Sequence, residues 1–214
     1  MNKDILGRTN EQYSKLWVAL GVSTETSPED LVGSVRELNV PIDITSQPAL
    51  WGGFLRGGTD VLSVKSSTQY ERATSQDHAT DLMQAHLIEV LSSVGRPMID
   101  FYFLRIRRVV EEFQINGALA ALEFAKQEGH IKHIGITADG PALAVQSVWQ
   151  FHDAFEVALL EPEYASLVGL ANERRVGVVN AVSHDFHDRK SDQTYMVKLS
   201  TKEQVQALLG KVSA

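Results

Sequence analysis

Length, composition and charge exclude several classes of protein. The chain has 214 residues, 43% hydrophobic and 22% charged, without any run of eighteen apolar residues, so a membrane span is excluded. Its net charge of −7 argues against nucleic-acid binding, which needs a basic face, and the absence of cysteine excludes disulfides.

Apolar runs typical of strands buried on both faces alternate with helical patterns along the whole chain. They read as continuous apolar stretches rather than as strict alternation. The eight predicted strands are Leu16–Leu20, Val40–Ile44, Val61–Lys65, Met98–Leu104, His133–Thr137, Glu156–Leu160, Val176–Ala181 and Tyr195–Leu199.

The segments between these strands carry helix start and stop signals. Ser27-Pro28 is an N-cap followed by proline at the first helical position, and the stripe from Met83 to Val94 ends at Gly95. Gly140-Pro141 opens another helix. Ser200 to Glu203 is a capping box for a last helix that we expect to end at Gly210.

Eight strands interleaved with helices predict a compact (β/α)8 TIM barrel that occupies residues 1–214 as a single domain. Such barrels typically need about 250 residues. We therefore expect shortened or missing outer helices after strands 2 and 7, at Thr45–Asp60 and Ser183–Thr194. A doubly wound open sheet is the alternative, because the pattern alone does not prove closure.

Several of these segments are similar to the aldo-keto reductases. The most specific match is Ala121 to Ile136, with its Glu-Gly-His-Ile-Lys-His-Ile-Gly-Ile run, and Ile99 to Leu104 resembles the preceding strand of the family. Ile42-Asp43 and Val61 to Lys65 resemble the strands that carry the family's catalytic Asp and Lys.

The resemblance implies NADPH-dependent carbonyl reduction, in which a Tyr protonates the carbonyl, a Lys paired to an Asp lowers the pKa of the Tyr, and a His orients the substrate. By motif, Asp43 and Lys65 match the Asp and the Lys, and Arg105 stands at the His position. No Tyr follows Asp43 at the family spacing. Trp51-Gly52 is the nearest equivalent, and an indole does not exchange a proton as a phenol does.

The positions that bind the cofactor in this family also differ. They are occupied here by Thr137-Ala138, Glu161, Ala165 and Ala181, while Lys198, Ser200 and Thr201 remain as candidates for binding a phosphate. We therefore predict a divergent member whose NADPH-dependent reduction is impaired or changed. The alternative is a non-catalytic barrel that binds a small molecule or serves in assembly.

Asp43, Lys65 and Arg105 are the candidate site, since all three are expected at the carboxyl ends of strands. One interpretation is an inherited ion pair between Lys65 and Asp43. A second is a remodelled pocket for an anionic or carbonyl ligand with Lys65 and Arg105 as its cations, and a third is a Schiff base on Lys65. Trp51 is expected to cover the pocket mouth.

The remaining predictions concern surface loops, the core, the cellular location and the oligomeric state. The Arg105 to Arg108 cluster is interpreted as a loop after a strand, and His130 and His133 as surface residues. His184 to Asp188 is interpreted as a solvated loop rather than a metal site. We expect a cytoplasmic protein, because no secretory signal is present, and a homodimer that covers the strand surface left by the short helices. A set of aromatic residues is assigned to core packing: Phe101, Tyr102, Phe103, Trp149, Phe151 and Phe155.

Overall fold

A closed barrel of eight parallel strands dominates the computed structural model, which describes residues 3–183 and 192–212, the side chains of 211 and 212 excepted. A small antiparallel hairpin precedes it, formed by β1 (Lys3–Ile5) and β2 (Gln12–Ser14). The barrel strands are β3 (Leu16–Leu20), β4 (Ile42–Asp43), β5 (Leu62–Lys65), β6 (Ile99–Ile106), β7 (Ile131–Ala138), β8 (Val157–Leu160), β9 (Gly177–Val182) and β10 (Thr194–Leu199).

All eight predicted strands are confirmed, and the barrel closes where β10 pairs with β3 in parallel register, Met196 opposite Trp17. The open-sheet alternative is therefore excluded. Strand lengths differ from the prediction: β4 has only two residues, whereas β6 and β7 have eight each. The long β6–β7 ladder runs from Ile99 opposite Ile131 to Ile106 opposite Ala138.

The described helices surround the barrel, and none of them is long and apolar enough to cross a membrane. Ser27 caps the first helix by accepting from the Asp30 N–H, and Gly95 ends the third in the left-handed conformation, as predicted. The helices are α1 (Pro28–Arg36), α2 (Pro48–Leu55), α3 (Gln76–Val94), α4 (Glu112–Gln127), α5 (Ala142–Phe151), α6 (Ala165–Glu173) and α7 (Lys202–Val212).

The start and end of α7 differ from the prediction. The side-chain oxygen Oε1 of Gln204 accepts from the backbone N–H groups of Ser200 and Thr201, and the Thr201 hydroxyl oxygen accepts from the Gln204 N–H. The capping pair is therefore Thr201 and Gln204 rather than Ser200 and Glu203. The helix also continues past Gly210 to Val212.

The helix after the second barrel strand is shortened, as expected, rather than missing. The eight-residue α2 includes Gly52 and Gly53. A Cβ at position 52 would lie 2.2 Å from the Ser93 carbonyl oxygen, so this glycine lets α2 approach α3 closely. Residues 184–191 of the connection after the seventh barrel strand, including the histidines at 184 and 187, lie outside the described residues.

Apolar side chains fill the barrel interior from the amino-terminal end upwards. Among the described residues, a cavity remains towards the carboxyl ends of the strands, where such barrels place their sites. The interior set is Leu6, Tyr13, Trp17, Phe101, Phe103, Val157, Leu159, Val179 and Met196. A second, larger set packs between the strands and the outer helices.

A polar network closes the amino-terminal end of the barrel. His133 was predicted at the surface, and this prediction is wrong: only 4% of the residue is exposed. Position 133 lies on β7 two residues before Gly135, where a Cβ would meet the inward-facing Phe103 ring, so alternation along the strand turns His133 inward as well. There the Tyr13 hydroxyl lies 2.9 Å from Nε2 of His133, and Glu156 lies 3.2 Å from its Nδ1.

The aromatic residues are in the core with one exception. Phe101, Tyr102, Phe103, Trp149 and Phe155 are each at most 1% exposed, as predicted. Phe151 was also assigned to the core, and this is wrong, since the residue is 77% exposed. It is the last residue of α5, and its side chain lies on the outer surface.

Candidate functional site

Polar side chains collect at the carboxyl ends of the barrel strands. Asp43 is the last residue of β4, and Lys65 is the last residue of β5. Arg105 is the penultimate residue of β6, two positions after the inward-facing Phe103. Because side chains alternate along a strand, each of the three points to the interior side of the barrel.

A cavity of 470 Å³ lies at this end of the barrel, a volume suited to one small molecule. Asp43, Lys65, Glu161 and Lys198 contribute charged groups to its wall, and Leu159 and Met196 belong to its apolar part. The structure thus brings two of the three predicted residues, Asp43 and Lys65, to one cavity.

Asp43 is only 4% exposed, and neutral donors surround its carboxylate. Oδ1 accepts from the Thr45 N–H at 3.1 Å, while Oδ2 accepts from the hydroxyls of Thr45 and Ser63 at 3.1 and 2.9 Å. Burial raises the pKa of Asp43 above its ordinary value, although the charge of Lys65 and these hydrogen bonds oppose the rise. A carboxyl group with a raised pKa can hold a proton more readily than an exposed one.

A backbone hydrogen bond positions Lys65, whereas its side chain forms no ion pair with the described residues. Its N–H donates to the Thr45 hydroxyl at 2.8 Å. Within the described part of the chain, no direct ion pair joins its ammonium to Asp43 or to any other acid, so the predicted Asp43–Lys65 pair is not formed at contact distance. The Lys65 side chain therefore contributes a positive charge to the cavity.

Arg105 lies at the same end of the barrel but is not among the residues that line the cavity. One of its terminal nitrogens lies 2.5 Å from a carboxylate oxygen of Asp139. This pairing follows from the length of the β6–β7 ladder, because Arg105 is in register with Thr137, two residues before Asp139. The β6 end is also tied through the Arg105 backbone, whose N–H donates to Ser66 and whose carbonyl accepts from Tyr70.

The rest of the arginine cluster is a loop after the strand, as interpreted from the sequence. Arg107 and Arg108 are exposed and lie 3.5 and 3.6 Å from the buried carboxylate of Glu71. Their charges therefore partly serve to neutralise one buried acid.

Trp51 does not cover the cavity, so that prediction is wrong. It is 1% exposed, packs in the core between strands and helices, and its indole N–H donates to the Ser46 hydroxyl. The prediction assumed a loop at this position, whereas Trp51 lies within α2.

Sequence reasoning missed the polar shell of Asp43. Thr45 and Ser63 supply three of its hydrogen bonds, although neither stands in a recognisable motif. Ser63 lies two residues before Lys65 on the same strand. Alternation along β5 was the available signal, since it places residue 63 on the same inward face.

The positions that the family uses for its cofactor are occupied here by groups that already have other partners. The Thr137 hydroxyl donates to the Leu159 carbonyl at 2.8 Å and is buried, and Ala138 and Ala181 bring no hydrogen-bonding side chain. At the start of α7, the N–H groups of Ser200, Thr201 and Lys202 already donate to side-chain oxygens of Gln204 and Thr26. The described residues therefore fit NADPH poorly at these positions, although Lys198 still presents its ammonium at the cavity wall.

Comparison with solved structures identifies the fold as that of the aldo-keto reductases, which confirms the resemblance read from the motifs. Aldo-keto reductase AKR11C1 from Bacillus halodurans in its holo form matches with a TM-score of 0.77 at 18% identity, over 100% of this chain and 91% of the other. The aldose reductase from Schistosoma japonicum matches at 0.75 and 11% identity, over 96% of this chain and 85% of the other. A putative aldo-keto reductase from Pseudomonas aeruginosa matches with a TM-score of 0.71 at 13% identity, over 96% of this chain and 91% of the other.

No family model and no curated protein sequence matches the chain. At these low identities, the likeness to solved structures concerns the fold alone. The function must be argued from the site itself.

Proposed function

We propose that the carboxyl-end cavity of the barrel binds a small anionic molecule that also carries a carbonyl group, and that it does so without NADPH-dependent hydride transfer. The observation that carries the proposal is the position of Lys65, which lines a 470 Å³ cavity while no ion pair engages its ammonium in the described part of the chain. A cation on the wall of a small cavity favours an anionic ligand.

Two further charges define the character of the ligand. Lys198, on β10, adds a second ammonium to the same wall, whereas the whole chain carries a net charge of −7. The attraction for an anion is therefore confined to the surroundings of the two lysines, since the Glu161 carboxylate on the same wall repels an anion. Asp43, with its raised pKa, lies beside Lys65 as a group able to donate a hydrogen bond to a carbonyl oxygen when protonated.

We propose no ligand contact for Arg105, which lies beside the cavity and not in its wall. Its pairing with Asp139 leaves it outside the cavity wall, so we assign it the role of holding the ends of β6 and β7 together. Lys65 and Lys198 are the binding cations.

Carbonyl reduction with NADPH is the competing function that the shared fold suggests. In the described residues it lacks a cavity-lining tyrosine, and the Thr137 hydroxyl and the Ser200 N–H at the cofactor positions already have other partners. These contacts agree better with binding of an anionic carbonyl compound than with its reduction by NADPH.

Thermal unfolding with three probes tests the proposal. The probes are 2-oxoglutarate, glutarate, which has the two carboxylates without the ketone, and NADPH, each against sodium chloride of equal ionic strength. A ligand that binds only the folded chain raises the Tm, by mass action. We expect 2-oxoglutarate to raise it most, glutarate less, and NADPH not at all.

Lys65→Met should abolish the shift with both acids, because it removes the charge and keeps the length of the side chain. Lys3→Met is the matched control, since Lys3 is an exposed lysine on the hairpin at the other end of the barrel. An equal shift in both variants would overturn the role of Lys65. A Tm increase with NADPH, accompanied by its oxidation in the presence of an aldehyde, would establish reduction instead.

A further inference from the structure

A six-residue segment that follows β6 and includes the first residue of α4 has a self-complementary order of charges. Residues 107–112 read Arg-Arg-Val-Val-Glu-Glu, with two bases, two apolar residues and two acids. When such a segment is laid antiparallel to a second copy, each base faces an acid, and the two valines meet at the centre. Arg107 then lies opposite Glu112, and Arg108 opposite Glu111.

An exposed apolar groove adjoins this segment. It has a volume of 530 Å³, and Val110, Ile115, Val148 and Phe151 form much of its wall. Phe151 and Val109 are also 77% and 59% exposed. Large apolar side chains that are exposed together on one face mark an interaction surface more often than scattered ones do.

We propose that this surface, formed by residues 107–112 and the groove between α4 and α5, binds a second copy of the chain in a two-fold symmetric dimer. The charge order supports a second copy as the occupant, because a two-fold axis between Val109 and Val110 pairs every charge of the segment with its opposite. In a two-fold interface the same patch is used by both partners, so one sequence must complement itself. Phe151, in the wall of the groove, is the apolar anchor of each copy.

The contacts within one chain leave these charges partly available, and the Glu111 carboxylate also accepts from the Gln114 N–H as the cap of α4. Arg107 and Arg108 share the buried Glu71, yet their side chains remain 46% and 56% exposed, and a guanidinium has five N–H donors. Glu112 forms no ion pair with the described residues of its own chain. This face differs from the one expected from the sequence, which was strand surface left by short helices.

Sedimentation velocity over a range of protein concentrations tests the dimer. The average mass should rise with concentration from the 23.6 kDa of one chain towards twice that value. Phe151→Ser should weaken the dimer by about tenfold or more, as expected for an anchor residue. Phe124→Ser is the matched control, because Phe124 is also an exposed phenylalanine, 54% exposed on α4, but does not line the groove.

Charge reversal tests the pairing itself. Glu112→Arg and Arg107→Glu should each weaken self-association, and an equimolar mixture of the two variants should associate more tightly than either alone, after circular dichroism shows that both fold. Added salt should weaken the wild-type dimer, because it screens rim charges. A wild-type chain that stays monomeric at all concentrations would overturn the proposal, as would equal effects of Phe151→Ser and Phe124→Ser.

Discussion

At the scale of single residues, Asp43 is an acid that is buried without a base at contact distance. Its carboxylate has only neutral hydrogen-bond donors at contact distance, and burial raises its pKa. Asp60 shows the contrasting arrangement, because Arg36 and Arg96 lie 2.9 and 3.0 Å from its carboxylate. Burial raises the pKa of Asp60 too, but the hydrogen bonds and charges of these arginines outweigh it and lower the value. A buried acid without a paired base is typical of a functional group that costs stability.

Asp43→Asn should therefore stabilise the protein at pH 7, by about 0.5–2 kcal/mol. An acid with a raised pKa contributes stability below its unfolded value of 3.8 and loses it as the pH rises through the folded pKa. The gain from Asp43→Asn should accordingly be larger at pH 7 than at pH 4 in urea unfolding. Asp60→Asn is the control, because it removes an acid that arginines stabilise and should therefore lower the free energy of unfolding at pH 7. A loss of stability in Asp43→Asn at pH 7 would mean that this carboxylate is structural.

At the scale of elements, α2 shows why a glycine-rich segment still forms a helix. The sequence contains Gly52 and Gly53 side by side, and both weaken a helix equally by propensity. Only Gly52 faces α3, where any Cβ would meet the Ser93 carbonyl oxygen, whereas a Cβ at Gly53 would meet nothing within 4 Å. The short helix is therefore stabilised by close packing at one glycine and gains nothing from the other.

Gly53→Ala should raise the free energy of unfolding by roughly 0.5–1 kcal/mol, because alanine has the higher helix propensity. Gly52→Ala should lower it by about 1–3 kcal/mol, the usual cost of an overpacked contact. Urea unfolding of the two variants measures both values. Equal effects of either sign would show that α2 and α3 are not as close as the structure places them.

At the scale of the whole molecule, the barrel is closed at its amino-terminal end and open at the other. The network of Tyr13, His133 and Glu156 joins the hairpin, β7 and the start of β8, and Lys126 lies 2.6 Å from Glu156. Arg8 also pairs with Asp153 at this end. In the described part of the chain, these contacts block the amino-terminal end, so a ligand is expected to enter from the end where Lys65 and Lys198 line the cavity.

Glu156→Gln should weaken this closure. Burial alone would raise the pKa of Glu156, but hydrogen bonds from His133 and Lys126 outweigh it and lower the pKa below its ordinary 4.5. Stability from such an acid is present above the unfolded pKa and is lost as the pH falls through the folded value. The variant should lose roughly 1–3 kcal/mol at pH 7, and its deficit should shrink below pH 4.5. Glu123→Gln, at an exposed position of α4, should match the wild type throughout.

The sequence alone determined the strands and most helix ends, because apolar periodicity and caps are local properties of the chain, and it favoured a barrel without deciding its closure. It also determined that Asp43, Lys65 and Arg105 lie at strand ends. Only the tertiary structure decided which side chains meet: Arg105 pairs with Asp139, Lys65 is left without an ion pair, and His133 is buried. These outcomes depend on strand register and closure between residues far apart in the chain, which no local pattern specifies.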